Sequence, residues 1–356
     1  MHVCTFAQER KHKKKPLTYL TIEIIKKICN ELVQHGCFFQ NISLSVSGEP
    51  LLHPKFKDII SYLYELNTPQ QKFFKYISIN TNGTLLTQET VTCIHDALQK
   101  HEGSLNLTIS LNAASKESFI ASKKVDLFEK SVKNIKYLLQ DKHKRRLDFH
   151  EVVYLQFLVN EENKDEAKKF RNYWKKQFEK IGTKYTIDYG MPIKEGFHNA
   201  IIFKKTYANE NFNISQEEYD FMHQEVAIQL GLTEDKKQEG KIQKKPQTQK
   251  HIPLSSQKQK RRICGSPWIS PVIRHDGTVS ICLNDTDALI RLGNINEESF
   301  IKIWFSPIAE HYRMKHIENR FAPHEHCYKC TYFDGESISE DIIEKHRDLI
   351  RMDHLL

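Results

Sequence analysis

Residues 21–189 alternate short β-rich runs with longer amphipathic runs. In the longer runs apolar residues recur at spacings of three and four, which is the period of a helix with one buried face. Such alternation is typical of βα units around a parallel sheet, and it also predicts a strand before Thr21 that residues 1–20 do not contain. The predicted strands are Ile42–Val46, Tyr76–Asn80, Leu105–Leu111, Val152–Val159 and Tyr185–Tyr189, and the predicted helices are Thr21–Gln34, Pro54–Leu66, Gln88–Lys100, Leu127–Gln140 and Lys164–Lys180.

The composition changes after this segment. Residues Glu234–Arg262 hold ten basic and three acidic residues, a net of +7 out of +8 for the whole chain. This stretch is rich in Lys and Gln and has no apolar period, which predicts a solvated flexible linker. A nucleic-acid-binding arm is the alternative, but the stretch has no interleaved aromatic residues to stack on bases. We therefore predict a core domain at 1–232, a linker at 233–262 and a C-terminal module at 263–356.

The whole chain has the composition of a globular protein. It has 356 residues, 39% of them hydrophobic, and no apolar run long enough for a membrane span. Its first residues lack the apolar centre of a signal peptide, so we expect a cytoplasmic protein without a membrane partner. In that reducing compartment eight cysteines indicate metal or redox chemistry rather than disulfides.

Three of the predicted strands end in short polar segments. The carboxyl ends of parallel strands meet at one edge of the sheet, where such folds bind ligands. Because Ser110 and Asn112 are two positions apart, we expect them to share a strand face. Ordinary turns are the alternative, since Asn-Gly is a common turn and Asn112 could cap the next helix. The candidate binding residues are Gly48, Glu49, Asn82, Ser110 and Asn112.

Four cysteines cluster in the C-terminal module, where a predicted hairpin turns at Asp276-Gly277. Cys264, Cys282, Cys327 and Cys330 are separated by 17, 44 and 2 residues. Four thiolates suit either a four-iron, four-sulfur cluster or a structural zinc ion, and the spacing does not separate these two. Three further cysteines, which have no partner at ligand spacing, are interpreted as ordinary thiols: Cys29, Cys37 and Cys93.

Together these motifs resemble radical SAM enzymes that carry a C-terminal SPASM or Twitch module. Ser47-Gly48-Glu49-Pro50 resembles the family's Gly-Gly-Glu-Pro segment, which holds the amino group of S-adenosyl-L-methionine (SAM). Asn80-Thr81-Asn82-Gly83 and Ser110-Leu111-Asn112 resemble its Thr-Asn-Gly turn and its ribose segment. The pattern Cys264-x12-Gly277-x4-Cys282 resembles the opening of the SPASM motif. Because no further cysteines follow the Cys327-x2-Cys330 pair, the module looks like the shorter Twitch form.

The resemblance implies a fold, cofactors and an activity. The fold is α/β, a partial (β/α)6 TIM-like barrel lacking its first strand, followed by a small iron-sulfur module. The five candidate binding residues would hold SAM, and the four C-terminal cysteines would hold one auxiliary 4Fe-4S cluster. The activity would be an oxidoreductase reaction that abstracts hydrogen and dehydrogenates a sugar-like alcohol or a peptide. A flavodoxin or ferredoxin would supply electrons.

The N-terminus departs from the family pattern. Members bind their catalytic 4Fe-4S cluster through Cys-x3-Cys-x2-Cys, and this chain has Cys4 alone, where the third cysteine should be. We expect the reading frame upstream of Met1 to encode an apolar strand and two cysteines. The alternatives are a degenerate relative without catalysis and a zinc-stabilised binding protein whose basic linker recruits an acidic partner.

Overall fold

A computed structural model describes residues 19–45, 48–190, 198–205, 216–232, 263–285, 287–330 and 338–344. Cys4 and the predicted linker at 233–262 lie outside these residues. The chain divides into two compact units. We call the described residues from Gly36 to 232 the sheet unit, and the described residues 19–35 and 263–344 the C-terminal unit.

The sheet unit is built on six strands, and every neighbouring pair is parallel. Their order in the sheet is β1-β2-β3-β4-β6-β5. The predicted α/β fold class, a partial barrel with a separate C-terminal module, is confirmed. The sequence did not predict β6, which lies between β4 and β5. The strands are β1 (Phe39–Ser43), β2 (Phe74–Thr81), β3 (Ser104–Ser110), β4 (Glu151–Val159), β5 (Tyr185–Tyr189) and β6 (Asn199–Lys205).

Helices follow the strands along the chain. A helix with one apolar face buries that face when it packs against the rest of the unit. In β3 the fully buried residues Leu105, Leu107 and Ile109 alternate with half-buried polar ones, so one face of the strand is apolar and the other polar. No described helix is both long enough and apolar enough to cross a membrane. The helices of this unit are α2 (Phe56–Glu65), α3 (Gln88–Lys100), α4 (Lys116–Lys123), α5 (Phe128–Lys144), α6 (Ala167–Ile181) and α7 (Gln216–Gln229).

The C-terminal unit contains a small antiparallel sheet of three strands in the order β7-β8-β9. The first two form the predicted hairpin, and Gly277 at its turn has a φ of 83°. A Cβ at that position would lie 2.5 Å from the Asn296 side chain, and the positive φ would strain other residues, so the turn favours glycine. Its elements are α1 (Ile22–Gln34), α8 (Ser266–Ile269), β7 (Val272–Ile273), β8 (Thr278–Ser280), β9 (Arg291–Asn294), α9 (Phe300–Trp304) and α10 (Pro307–Glu318).

Helix α1 packs within this C-terminal unit, although it lies near the start of the chain. The Glu31 carboxylate accepts the first free backbone N–H groups of α9, from Phe300 at 3.0 Å and Ile301 at 3.1 Å. Lys27 donates to the carbonyl of Ile295 at 2.9 Å. A carboxylate on the orphan N–H groups of a helix is a stabilising cap, so these contacts tie α1 to residues about 270 positions away.

A buried charged network lies at the amino-terminal edge of the sheet. His95 in α3 is fully buried, with Nδ1 2.7 Å from Asp141 and Nε2 3.2 Å from Glu151, the first residue of β4. Burial alone would lower the pKa of His95, but the two carboxylates overcome that effect and raise it. His95 is therefore one of the groups that compensate these two carboxylates, together with Arg145, whose Nε lies 2.7 Å from Asp141.

We expect His95→Leu to lower the free energy of unfolding by about 3 kcal/mol at pH 6, because the fully buried Glu151 carboxylate loses its contact with the imidazole. The pKa of His95 is higher in the folded state than in the unfolded state, so the folded state binds this proton more tightly. Protonation of His95 therefore stabilises the fold fully at pH values below the unfolded-state pKa. This stabilisation is lost as the pH rises through the folded-state pKa. Urea unfolding should therefore show a larger loss at pH 6 than at pH 9. An equal loss at both pH values would contradict a charged His95.

Candidate functional site

The ends of β1 and β2 are joined by the predicted binding residue Glu49. Its Oε1 accepts the hydroxyl of Thr81 at 2.7 Å and its Oε2 accepts the backbone N–H of Asn82 at 2.8 Å. Burial raises the pKa of Glu49, and hydrogen bonds from Asn82, Thr81 and Leu51 oppose that rise. Gly48 has a φ of 109°, a backbone conformation that favours glycine. The structure thus brings Glu49 and Asn82 into direct contact.

Ser110 and Asn112 follow the same edge one strand further on. Ser110 is the last residue of β3, and its hydroxyl accepts from Gln156 Nε2 of β4 at 2.9 Å. Asn112 is fully buried, has a φ of 59°, and accepts the N–H of Leu158 at 3.0 Å. The strand ends before Asn112, so its alternation does not place Ser110 and Asn112 on one face as expected. The cap of α4 is Ser115 rather than Asn112.

One atom of Asn112 is distinctive. Its Nδ2 is buried and has no hydrogen-bond partner among the described residues. A buried amide donor without a partner costs about 1–3 kcal/mol, so native proteins usually satisfy it with a protein group, water or ligand. An acceptor such as a ligand hydroxyl would remove that cost.

The polar face of the sheet continues beyond the predicted residues onto β4, β6 and β5. Ser110 is in register with Gln156, Gln156 with Ile202, and Ile202 with Asp188. Paired positions of neighbouring strands share a face. Sequence reasoning missed the β5 and β6 part of this face because β6 itself was not predicted. A short apolar run before two lysines, Ala200–Phe203, was the available signal.

A separate cavity of about 650 Å³ lies on the helical layer between α5 and α6. Phe128, Val132, Tyr173 and Trp174 form its apolar walls. The five predicted binding residues of the sheet unit are not among those that line it.

The C-terminal cysteines lie in the C-terminal unit on three different segments. Cys264 precedes α8, Cys282 follows β8, and Cys327 and Cys330 share a 3-10 turn at His326–Lys329 closed by an N–H to carbonyl bond of 3.4 Å. The thiols of Cys264 and Cys330 both act electrostatically on Cys282. All four are free of disulfides. These segments are far apart in sequence and belong to one compact unit.

Cys282 has the surroundings expected of a thiolate ligand. Its Sγ accepts the backbone N–H of Asn284 at 3.3 Å, and the backbone of Asp285 also hydrogen-bonds to it. Burial raises the pKa of Cys282, neighbouring thiols add to the rise, and these N–H donors oppose it. Metal coordination deprotonates a thiol outright, and N–H donors to sulfur tune iron-sulfur clusters. The donor set therefore fits such a cluster.

The four side chains do not form a closed metal site as they stand. Within the described part of the chain, no three His, Cys, Asp or Glu side chains lie close enough together to hold a metal ion. That all four cysteines bind one cluster stays a prediction.

Several solved structures are similar to this chain at low identity. A structure of anSMEcpe with bound AdoMet is 16% identical, with 93% of this chain and 83% of that chain covered and a TM-score of 0.48. A structure of BtrN in complex with AdoMet and 2-DOIA is 14% identical, with 89% and 82% covered and a TM-score of 0.41. At such identities the likeness concerns the fold alone.

The sequence itself matches one protein-family model. A search of curated proteins finds no match. The family model is that of the SPASM iron-sulfur cluster-binding domain, and it matches residues 264–331. These residues include all four C-terminal cysteines, from Cys264 to Cys330. The C-terminal segment of the chain therefore belongs to the SPASM family of iron-sulfur cluster-binding domains.

Proposed function

We propose that this protein is a radical SAM oxidoreductase that uses the SPASM domain as its second redox centre. The observation that carries the proposal is the match of residues 264–331 to an iron-sulfur domain in a chain whose parallel sheet has polar groups at one edge. Glu49 links the ends of β1 and β2 there, and Ser110 and Asn112 follow β3. This is the edge at which parallel βα folds bind ligands.

The residues that would hold SAM are Gly48, Glu49, Asn82, Ser110 and Asn112. The backbone at Gly48 can approach a ligand closely, because no side chain intervenes. The buried Nδ2 of Asn112 is a donor suited to a ribose hydroxyl. When bound and reduced, SAM supplies a carbon radical that removes a hydrogen atom from the substrate. Cys4, the one family cysteine of the catalytic cluster, lies outside the described residues.

The four SPASM cysteines suggest the type of reaction. If all four iron ligands are protein thiolates, no iron is left to bind substrate, and the domain's chemistry is electron transfer. A substrate that has lost a hydrogen atom then gives up one proton and one electron, which amounts to a two-electron dehydrogenation. We propose a sugar-like alcohol or a peptide side chain as the substrate, a flavodoxin or ferredoxin as the electron donor, and a cytoplasmic location.

The SAM site is tested by two serines on the same strand. Ser110 ends β3 and Ser104 begins it, so they lie at opposite edges of the sheet. We expect Ser110→Ala to weaken binding of labelled SAM several-fold, as loss of one hydrogen bond of about 1 kcal/mol would, and Ser104→Ala to leave it unchanged. Equilibrium dialysis measures both. Equal affinities in the two variants would contradict a SAM site at this edge.

The type of metal separates this function from a zinc-stabilised binding protein. Anaerobic reconstitution with iron and sulfide should give a brown protein that retains about four irons at its C-terminal site. A colourless protein that holds one zinc ion and rejects iron would defeat the proposal.

A further inference from the structure

The polar face of the sheet unit carries two charged side chains near the carboxyl ends of β5 and β6. Asp188 is in register with Ile202 of β6, and Lys204 is two residues beyond Ile202. Residues two apart in a strand point to the same face, so Lys204 lies on the face that holds Asp188 and, through Ile202, Gln156 and Ser110. Lys204 pairs with Leu158 of β4 in the same register.

Tyr154 of β4 lies on this face as well. It pairs with Ala200 of β6, and Ala200 pairs with Thr186 of β5, two residues before Asp188. Burial is the main reason that the pKa of Tyr154 is raised.

Lys204 differs from the other lysines near this sheet. The fully buried Lys142 donates to Asn199 at 2.7 Å and pairs with Asp148 at 3.3 Å, and the exposed Lys205 pairs with Asp220 at 2.7 Å. Lys204 is half-buried, and among the described residues it forms no ion pair or hydrogen bond. Burial lowers its pKa because the charged form loses contact with water.

A partly desolvated cation gains free energy when an anion binds to it, and Lys204 has no acceptor within the part of the chain that the structure describes. We propose that Lys204 binds an anionic group, a carboxylate or a phosphate, on the substrate of this protein. Gln156, Ser110 and Tyr154 offer neutral hydrogen-bonding groups on the same face. Naming the ligand as the substrate rests on the proposed function, whereas the anion site itself does not.

The test uses inorganic phosphate and acetate as probes of the full chain. Lysines are labelled by reductive ¹³C-methylation, which keeps their charge, and the Lys204 signal is the one missing from Lys204→Arg. Lys75, an exposed lysine of β2 with no ion pair among the described residues, gives the matched control signal through Lys75→Arg. We expect the Lys204 signal to shift with phosphate or acetate until the site is saturated. The bound anion should also raise the proton affinity of Lys204 at least tenfold.

The two probes distinguish the two anions. A response to phosphate alone assigns a phosphorylated substrate, and a response to acetate alone assigns a carboxylate. If neither probe moves the Lys204 signal further than the Lys75 signal, the inference is overturned.

Labelled SAM is measured on the same preparations to separate this inference from the proposed function. Anion binding in a protein that does not bind SAM would remove the proposed function and leave the anion site standing. SAM binding without any anion response would remove the anion site alone.

Discussion

Replacing Cys282 with serine will remove the iron-sulfur cluster from the C-terminal unit. Cys282 is the thiol on which Cys264 and Cys330 both act electrostatically, and it receives backbone N–H donors from Asn284 and Asp285. A serine hydroxyl has nearly the same shape but is not deprotonated near neutral pH, and it is a poor ligand for iron in a thiolate site. We expect the reconstituted variant to lose the brown colour and about four irons per chain relative to the wild type.

Cys29→Ala is the matched control for that loss. Cys29 lies in α1 of the same unit, and burial raises the pKa of its thiol to about 12, so it stays protonated. Removing its sulfur tests whether damage to the unit alone releases iron. We expect this variant to keep its iron and its colour. Cluster retention in Cys282→Ser, or equal loss in both variants, would contradict cysteine ligation at position 282.

Local periodicity predicted most elements of the sheet unit. The predicted helix Gln88–Lys100 agrees with α3 at both ends. Its start is fixed locally, because the Thr87 side chain accepts the N–H of Thr90 at 3.3 Å. Such caps are local, and a single sequence reports them well. The strand β1 was placed too late, at Ile42–Val46, whereas the structure has Phe39–Ser43.

Two further differences concern the partners of α1 and a strand that the sequence did not predict. The amphipathic pattern of α1 correctly indicated one buried face, but its contacts with Ile295 and Phe300 involve residues about 270 positions away. Periodicity reports that a face is buried and not what covers it. Strand β6 was missed for a related reason, since it enters the sheet between β4 and β5 and breaks the sequential order.

The candidate SAM residues were predictable from motifs, but their contacts were not. The sequence placed Glu49 and Asn82 at neighbouring strand ends, and the structure joins them by a hydrogen bond of 2.8 Å. It gave no sign that Glu49 also binds Thr81, because that contact depends on the register between β1 and β2. Lys204 belonged to no motif, and only its position on the polar face singles it out.

The second large effect is expected from Glu49→Gln. The carboxylate accepts three donors, from Leu51, Thr81 and Asn82. Glutamine keeps the shape but replaces one oxygen with an NH2 group, which then faces a donor. A partly buried donor without an acceptor costs about 1–3 kcal/mol, so the end of β1 should lose its attachment to β2. We expect SAM to bind about tenfold or more weakly, measured by equilibrium dialysis.

Glu151→Gln provides the comparison that makes this result specific to one edge of the sheet. Glu151 is a fully buried glutamate at the first position of β4, at the opposite edge, where it contacts His95 at 3.2 Å. Its replacement should lower the free energy of unfolding and leave SAM affinity within twofold of wild type. Both variants exchange one hydrogen-bonded glutamate carboxylate for an amide, one partly buried and one fully buried, at opposite edges of the sheet. Equal SAM affinity in the Glu49→Gln and Glu151→Gln variants would contradict this prediction. Glu49 would then only connect the ends of β1 and β2 and would have no part in binding SAM.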